Sequence, residues 1–281
     1  FRDPMGQLLS IAFSKVTSEG WVNINTLGKP VPPTQEYSIG NLVQCIQFDK
    51  ELTSETVGFD IRTRRALTSK LQAFSRYALF SERGTRIPVL LKPGMVSILL
   101  LANVPDQIRT VIASVLFRKV LEERRVSSLL KKRKIMGEIK EPIQELPRVW
   151  VMIDEAQNIV PAEATTISSP SLIRLVREGR NFGISLAITT QQPSAIDQRV
   201  MAQVDTLIVH RLTVGRDIEG ILSNTKTLPP ERVYLGGQSL DLSSLIRKLP
   251  VGYALISNSE TPRDFIIQIR PRVSVHGGFE A

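Results

Sequence analysis

The stretch RVWVMIDEAQNIVP, residues 148–161, joins an apolar run to two adjacent acids, Asp154 and Glu155. Near-continuous hydrophobicity over Val149–Ile153, rather than alternation, is the pattern of a strand covered on both faces, as parallel strands are. In an open parallel sheet, ligands sit beyond the carboxyl ends of the strands. The two acids then stand at the mouth of a crevice, in the form of a Walker B motif. There one carboxylate holds a hydrated magnesium ion and its neighbour polarises the water that attacks a phosphate. An acid pair after a strand also caps a following helix and favours its positive end, and this stretch alone leaves both readings open.

Downstream, LIRLVREGRNFGISLAITTQQPSAID (172–197) carries Arg174, Arg177 and Arg180 on a helix, turns through Gly179 and Gly183, and enters a strand ending in Thr189-Thr190-Gln191-Gln192-Pro193. If the two strands are neighbours, these hydroxyls and amides fall beside the acids. Gln191 then senses a γ-phosphate or orients the attacking water, and a turn-capping amide before Pro193 is the plainer alternative. Arg180 suits an arginine finger, because its planar fork matches the charge spread over a transferring phosphoryl group. A surface ion pair with Glu178 or Asp154 explains it equally well. Flexible backbone at Gly179 is expected to let the guanidinium reach outward.

Further apolar runs of strand length are VSILLL (96–101), TLIVHRL (206–212), GYALIS (252–257) and FIIQIR (265–270). Helical periodicity fills 104–125, through Ile108, Val111, Ile112, Val115, Leu116 and Val120, with Asn103 as N-cap and Pro105 and Asp106 in the first turn. Another helix is predicted to start at Ser169, with Pro170 at its first position, and to stop at Gly179. Strands alternating with helices predict an α/β fold with parallel crossovers. Residues 1–86 read as the start of a core segment followed by a mainly helical excursion, in which 63–80 is amphipathic. Residues 87–281 read as the core, with a charged insertion at about 126–147.

The chain has 36 Lys and Arg against 27 Asp and Glu, a net charge of +9, which favours anionic partners. Residues 118–134 concentrate eight cations, including Lys131, Lys132, Arg133 and Lys134, against Glu122 and Glu123. Such a run is either a solvated helix face or a surface that tracks nucleic-acid phosphates. A single cysteine, Cys45, excludes an internal disulfide, and His210 and His276 are too far apart in sequence to suggest a metal site. Bland core or surface roles are expected for these three. No apolar run approaches the length of a membrane span, and a secretory leader pattern is absent from Phe1-Arg-Asp-Pro, so a cytoplasmic location without membrane partners is expected.

The residues of 148–161 and 177–197 resemble the HerA branch of the HerA/FtsK ATPases. VMIDEAQNIVP has the form of that branch's Walker B with its DEA-H/Q-N continuation, and REGRNFGISLAITTQQPSAID that of its arginine-finger helix and sensor strand. The likeness runs over about residues 86–260. FRDPMGQ (1–7) is similar to the family's D-P-x-G-E segment after the second core strand, with Gln7 where the family carries Glu. The resemblance implies a RecA-like, mostly parallel sheet flanked by helices. It places Asp154 and Asp3 on the nucleotide side, Asp154 on Mg²⁺, Glu155 as the catalytic acid, Gln191 as sensor and Arg180 as a finger acting across a subunit boundary. It also implies ATP and Mg²⁺ as cofactors, a homo-oligomeric ring of six subunits around double-stranded DNA, and a nuclease partner in DNA end processing. A conjugation or secretion coupling ATPase of the same superfamily and a non-catalytic nucleic-acid-binding ring subunit are the alternatives.

The chief departure is that no G-x-x-x-x-G-K-[ST] occurs in the 281 residues, and this loop is what cradles the β- and γ-phosphates. If FRDPMGQ follows the second strand, the loop is expected upstream of Phe1. The chain is then the C-terminal portion of a longer protein and is expected to hydrolyse ATP negligibly by itself. A naturally degenerate subunit is the other possibility.

Overall fold

The computed structural model describes residues 3–56, 58–75, 77, 84–143, 145–225, 233–235, 238–259, 264–271 and 273. The chain divides into two compact units, Phe1–Arg86 and Ile87–Ala281. His276, residues 1–2 of the FRDPMGQ segment, and residues 76 and 78–80 of the predicted amphipathic helix lie outside the described residues.

The first unit is mainly helical. Helix α1 (Pro4–Ser14) starts at Asp3, whose carboxylate accepts from the Gly6 amide at 2.9 Å, with Pro4 at the first position. A short antiparallel pair, β1 (Trp21–Asn23) and β2 (Lys29–Val31), precedes α2 (Ile39–Phe48). Ser38 and Asn41 cap α2 reciprocally, each side chain accepting from the other's backbone N–H. Helix α3 spans Ile61–Ser75. Leu8, Ala12, Trp21, Cys45, Ile46 and Leu67 are among the residues that close the core.

The second unit opens with α4 (Ile87–Leu90) and the long α5 (Asp106–Ile135). Pro105, rather than Asn103, takes the N-cap position of α5, and Asp106 occupies its first turn. The helix runs ten residues past the predicted end, into the charged insertion, because Leu, Lys and Arg are strong helix formers even where apolar periodicity has ceased. Then follow β3 (Val149–Ile153), α6 (Ser169–Gly179), β4 (Ile184–Ile188), α7 (Gln198–Met201), β5 (Thr206–Val209) and α8 (Gly215–Leu222). The unit ends with β6 (Val233–Leu235), β7 (Gln238–Leu240), α9 (Leu242–Lys248), β8 (Tyr253–Asn258) and β9 (Asp264–Gln268).

Strand β3 pairs parallel with β4 over Val149↔Ile184 to Ile153↔Ile188. The α/β class holds, but the other described pairings, β5 with β8, β8 with β9 and β6 with β7, are antiparallel. Apolar runs encode burial and do not encode direction. The predicted strand at 96–101 does not form: Val96, Ile98 and Leu100 are about 80 % exposed, and no described strand offers that segment a ladder. Trp150 and Met152, on one face of β3, are also exposed, so double coverage of this strand is not met among the described residues. Leu172, Leu175, Ile196, Val200, Ile218, Leu245 and Leu255 form the buried centre. No helix among the described residues is long and apolar enough to cross a membrane.

Candidate functional site

Parallel pairing of β3 and β4 continues beyond both strands and brings their carboxyl ends side by side. Thr189 N donates to Ile153 O at 2.9 Å and Ala156 N donates to Thr189 O at 3.0 Å. Asp154 and Glu155 therefore stand beside Thr189, Thr190 and Gln191. The Thr189 hydroxyl donates to Asp154 Oδ1, which also accepts from the Glu155 amide at 3.1 Å. Glu155 lies in left-handed backbone (φ 49°, ψ 54°), one of two non-glycine residues with positive φ among those described. Such a conformation costs of order 1 kcal/mol and concentrates at functional sites. The Glu155 carboxylate accepts from Gln157 Nε2 at 2.6 Å and from Gln191 Nε2 at 3.1 Å. Gln157 is oriented in turn by Thr190, whose hydroxyl donates to Gln157 Oε1 at 2.7 Å.

Two residues escaped the sequence reading. Gln157 was visible only as part of a motif, and its contact depends on the left-handed turn at Glu155. Asp217 of α8 is buried and accepts from the Ser194 amide at 3.1 Å and its hydroxyl at 2.7 Å, tying down the loop that follows Gln191. A lone Asp in a helix gives no sequence signal for this.

Arg180 is exposed on the short 3-10 turn Arg180–Phe182 that follows α6. Glu178, one of its two suggested ion-pair partners, is instead bound by Arg174 at 2.9 Å, and no ion pair of Arg180 occurs among the described residues. The expectation about Gly179 is corrected. This glycine is buried and regular-helical, and a Cβ there would stand 3.2 Å from Ile184 Cβ. It permits close packing of α6 on β4 and supplies no flexibility. Asp3 belongs to the first unit, where it caps α1.

The basic segment 118–134 proves heterogeneous. Arg124 is buried, donates from Nε and Nη2 to Phe182 O at 2.9 and 2.6 Å and from Nη1 to Leu146 O, and so pins the turn between α6 and β4. Burial, then the charge of Arg148, lowers its pKa from the ordinary value. Lys131 pairs with Glu145 at 2.8 Å and Arg133 with Glu138 at 2.9 Å. Lys132 and Lys134 are exposed in the last turn of α5, where cations also complement the helix dipole.

For a magnesium ion, the donor set fits. No group of three or more His, Cys, Asp and Glu forms a metal cage among the described residues, but Mg²⁺ is ordinarily held by one or two carboxylates with phosphates and waters. Among the described residues both donors to Asp154 meet Oδ1, which leaves Oδ2 for a hydrated cation. Cys45 is buried in the first unit's core, and His210 Nδ1 lies 3.0 Å from Tyr253 O.

No protein-family model matches the chain. In sequence it is similar to the DNA double-strand break repair helicase HerA of Pyrococcus furiosus, 24% identical over 66% of this chain and 39% of that protein. The HerA of Sulfurisphaera tokodaii is 28% identical over 56% of this chain and 29% of its own length. In fold it is similar to the plasmid coupling protein TrwB solved with a non-hydrolysable ATP analogue, with a TM-score of 0.53 and 14% identity over 95% of this chain and 63% of that one. The chain thus spans well under half of these HerA proteins. The HerA/FtsK resemblance and the RecA-like fold class are borne out by these matches.

Proposed function

We propose that this chain is the C-terminal part of a HerA-like ring ATPase that couples ATP hydrolysis to movement along double-stranded DNA in DNA end processing. The observation that carries the reading is the junction of β3 and β4, where a strand-end acid pair meets a hydroxyl and an amide from the neighbouring strand end. In this reading Mg²⁺ supplies charge neutralisation on the phosphates. Asp154, oriented by Thr189, would hold the hydrated ion. Glu155 orients the attacking water and accepts its proton, and Gln191 and Gln157 fix the carboxylate for that task. Arg180, exposed and without an ion pair among the described residues, meets the phosphate of an adjacent subunit's nucleotide. The mechanism requires a phosphate-cradling loop from outside these 281 residues.

A hexameric assembly and a nuclease partner belong to the same proposal. The fold likeness to a plasmid coupling protein favours, as a second reading, a coupling ATPase that handles nucleic acid during transfer. Steady-state hydrolysis by the full-length protein, with and without duplex DNA, tests the main reading. Glu155→Gln is expected to reduce turnover by at least about 100-fold while retaining binding of a non-hydrolysable ATP analogue, and the 281-residue chain by itself is expected to turn over negligibly. Turnover of Glu155→Gln within a few-fold of the unaltered protein would refute the role of that acid.

A further inference from the structure

Helix α3 carries Arg62, Arg64, Arg65 and Lys70 and no acid anywhere in IRTRRALTSKLQAFS. Among the described residues none of these four takes part in an ion pair. The nearest preceding acid, Asp60, accepts from the Arg62 backbone at 3.2 Å and serves the helix start. A merely solvated charged face has a different character, shown by α5, where Lys119 pairs with Glu122, Lys131 with Glu145 and Arg133 with Glu138. On α3 the like charges Arg62 and Arg65 stand one turn apart, an arrangement that weakens a helix unless an anion offsets it.

Arg64 and Arg65, though neither Arg62 nor Lys70, line a groove of about 450 Å³ within the first unit, together with Ser69 and Gln72 of α3 and Gln47 and Phe48 of α2. Arg64 is held in place by its Nε, which donates to Phe59 O at 3.1 Å, and this leaves its terminal amino groups for a ligand. Hydroxyl, amide and guanidinium donors with no carboxylate form a set suited to phosphodiester oxygens. From Arg62 to Lys70 the helix advances about 12 Å, or roughly three to four nucleotide steps of a strand at 3.4 Å each.

We infer that the exposed face of α3, with Arg65 on the groove and Arg62 and Lys70 beyond its edge, is a nucleic-acid backbone site, made of residues other than those of the ATPase site and the basic end of α5, that grips duplex DNA through its phosphates without regard to sequence. The proposal rests on the functional reading only for its choice of polyanion. The test compares the 281-residue chain with R62A/R65A/K70A, which spares the anchored Arg64, in binding a fluorescent 30-base-pair duplex across a salt series. Each phosphate left without its cation is expected to lower the slope of log affinity against log salt by about 0.9, so by up to about 2.7 in total, with binding at least about tenfold weaker near physiological salt. The charge-retaining R62K/R65K/K70R is expected to bind as the unaltered chain does. Should the alanine variant melt at a lower temperature, R62Q/R65Q/K70Q, which preserves helix propensity, decides in the same assay.

Unchanged affinity and slope in a folded variant would overturn the site. K132A/K134A, measured in parallel, then shows whether α5 carries the binding and the wider nucleic-acid reading survives. Binding of polyglutamate without binding of the duplex would overturn the proposal in favour of an acidic protein partner. Binding of neither polymer would overturn it as well.

Discussion

Replacing Arg124 by Met separates structure from nucleic-acid binding in the basic segment. The methionine keeps much of the aliphatic stem and removes the guanidinium that serves Phe182 O and Leu146 O. A hydrogen bond from a charged donor contributes about 1.5–3 kcal/mol. Two carbonyls losing such donors set an upper range of about 3–6 kcal/mol, and relief from holding a charge in a largely buried place offsets part of it. We expect a net loss of about 3 kcal/mol. In a unit of about 195 residues, 1 kcal/mol moves the melting temperature by roughly 2–4 °C, so the expected fall is about 6–12 °C by differential scanning calorimetry. Arg125→Met is the control, because Arg125 is exposed and surface changes cost about 0.5 kcal/mol or less. A fall of under about 2 °C for Arg124→Met, or an equal fall for both variants, would refute the idea that Arg124 pins the strand–turn junction.

Two other expectations address the rest of the molecule. In the full-length protein, Arg180→Ala should cut turnover by about 10³-fold with nucleotide binding intact, and subunits defective in phosphate cradling but retaining Arg180 should restore activity in mixed rings; failure at every mixing ratio, with mixed assembly confirmed, would count against action across a boundary. Burial pushes the Cys45 thiol up to about 12, so the folded thiol stays protonated and enclosed at pH 8 and should react with a disulfide reagent only after urea unfolding. The same shift has a sign: the unfolded thiol ionises at lower pH than the folded one, so its contribution to stability falls as pH rises above the unfolded value near 9. Prompt labelling of the folded chain would show that the α2 face is open.

The elements of the candidate site were readable where the signal is local. An apolar run ending in two acids, and another ending in hydroxyls and amides, mark Asp154, Glu155 and Gln191 as strand-end groups, their meeting being conditional on the pairing of β3 with β4, and the Ser169–Pro170 start of α6 has a local cause as well. Features that depend on a neighbour were not readable. Residues 96–101 carry strand composition, but a strand exists only when another backbone accepts its ladder. The antiparallel order of β5, β8 and β9 is set by chain connection, to which apolar composition is indifferent. The purpose of Gly179 is likewise invisible until Ile184 is seen against it.

The left-handed residue at the end of β3 has a consequence for parity. Along an extended strand, adjacent side chains leave on opposite sides, so two successive carboxylates would address two different compartments. Glu155 breaks that rhythm: its backbone reverses hand immediately after Asp154, and the two acids meet Thr189 and Gln191, positions two apart on a single adjoining segment. The turn works as a vernier that matches a spacing of one residue to a spacing of two. Consecutive letters of sequence thereby address one small volume, and the fit depends on a backbone angle as much as on the side chains.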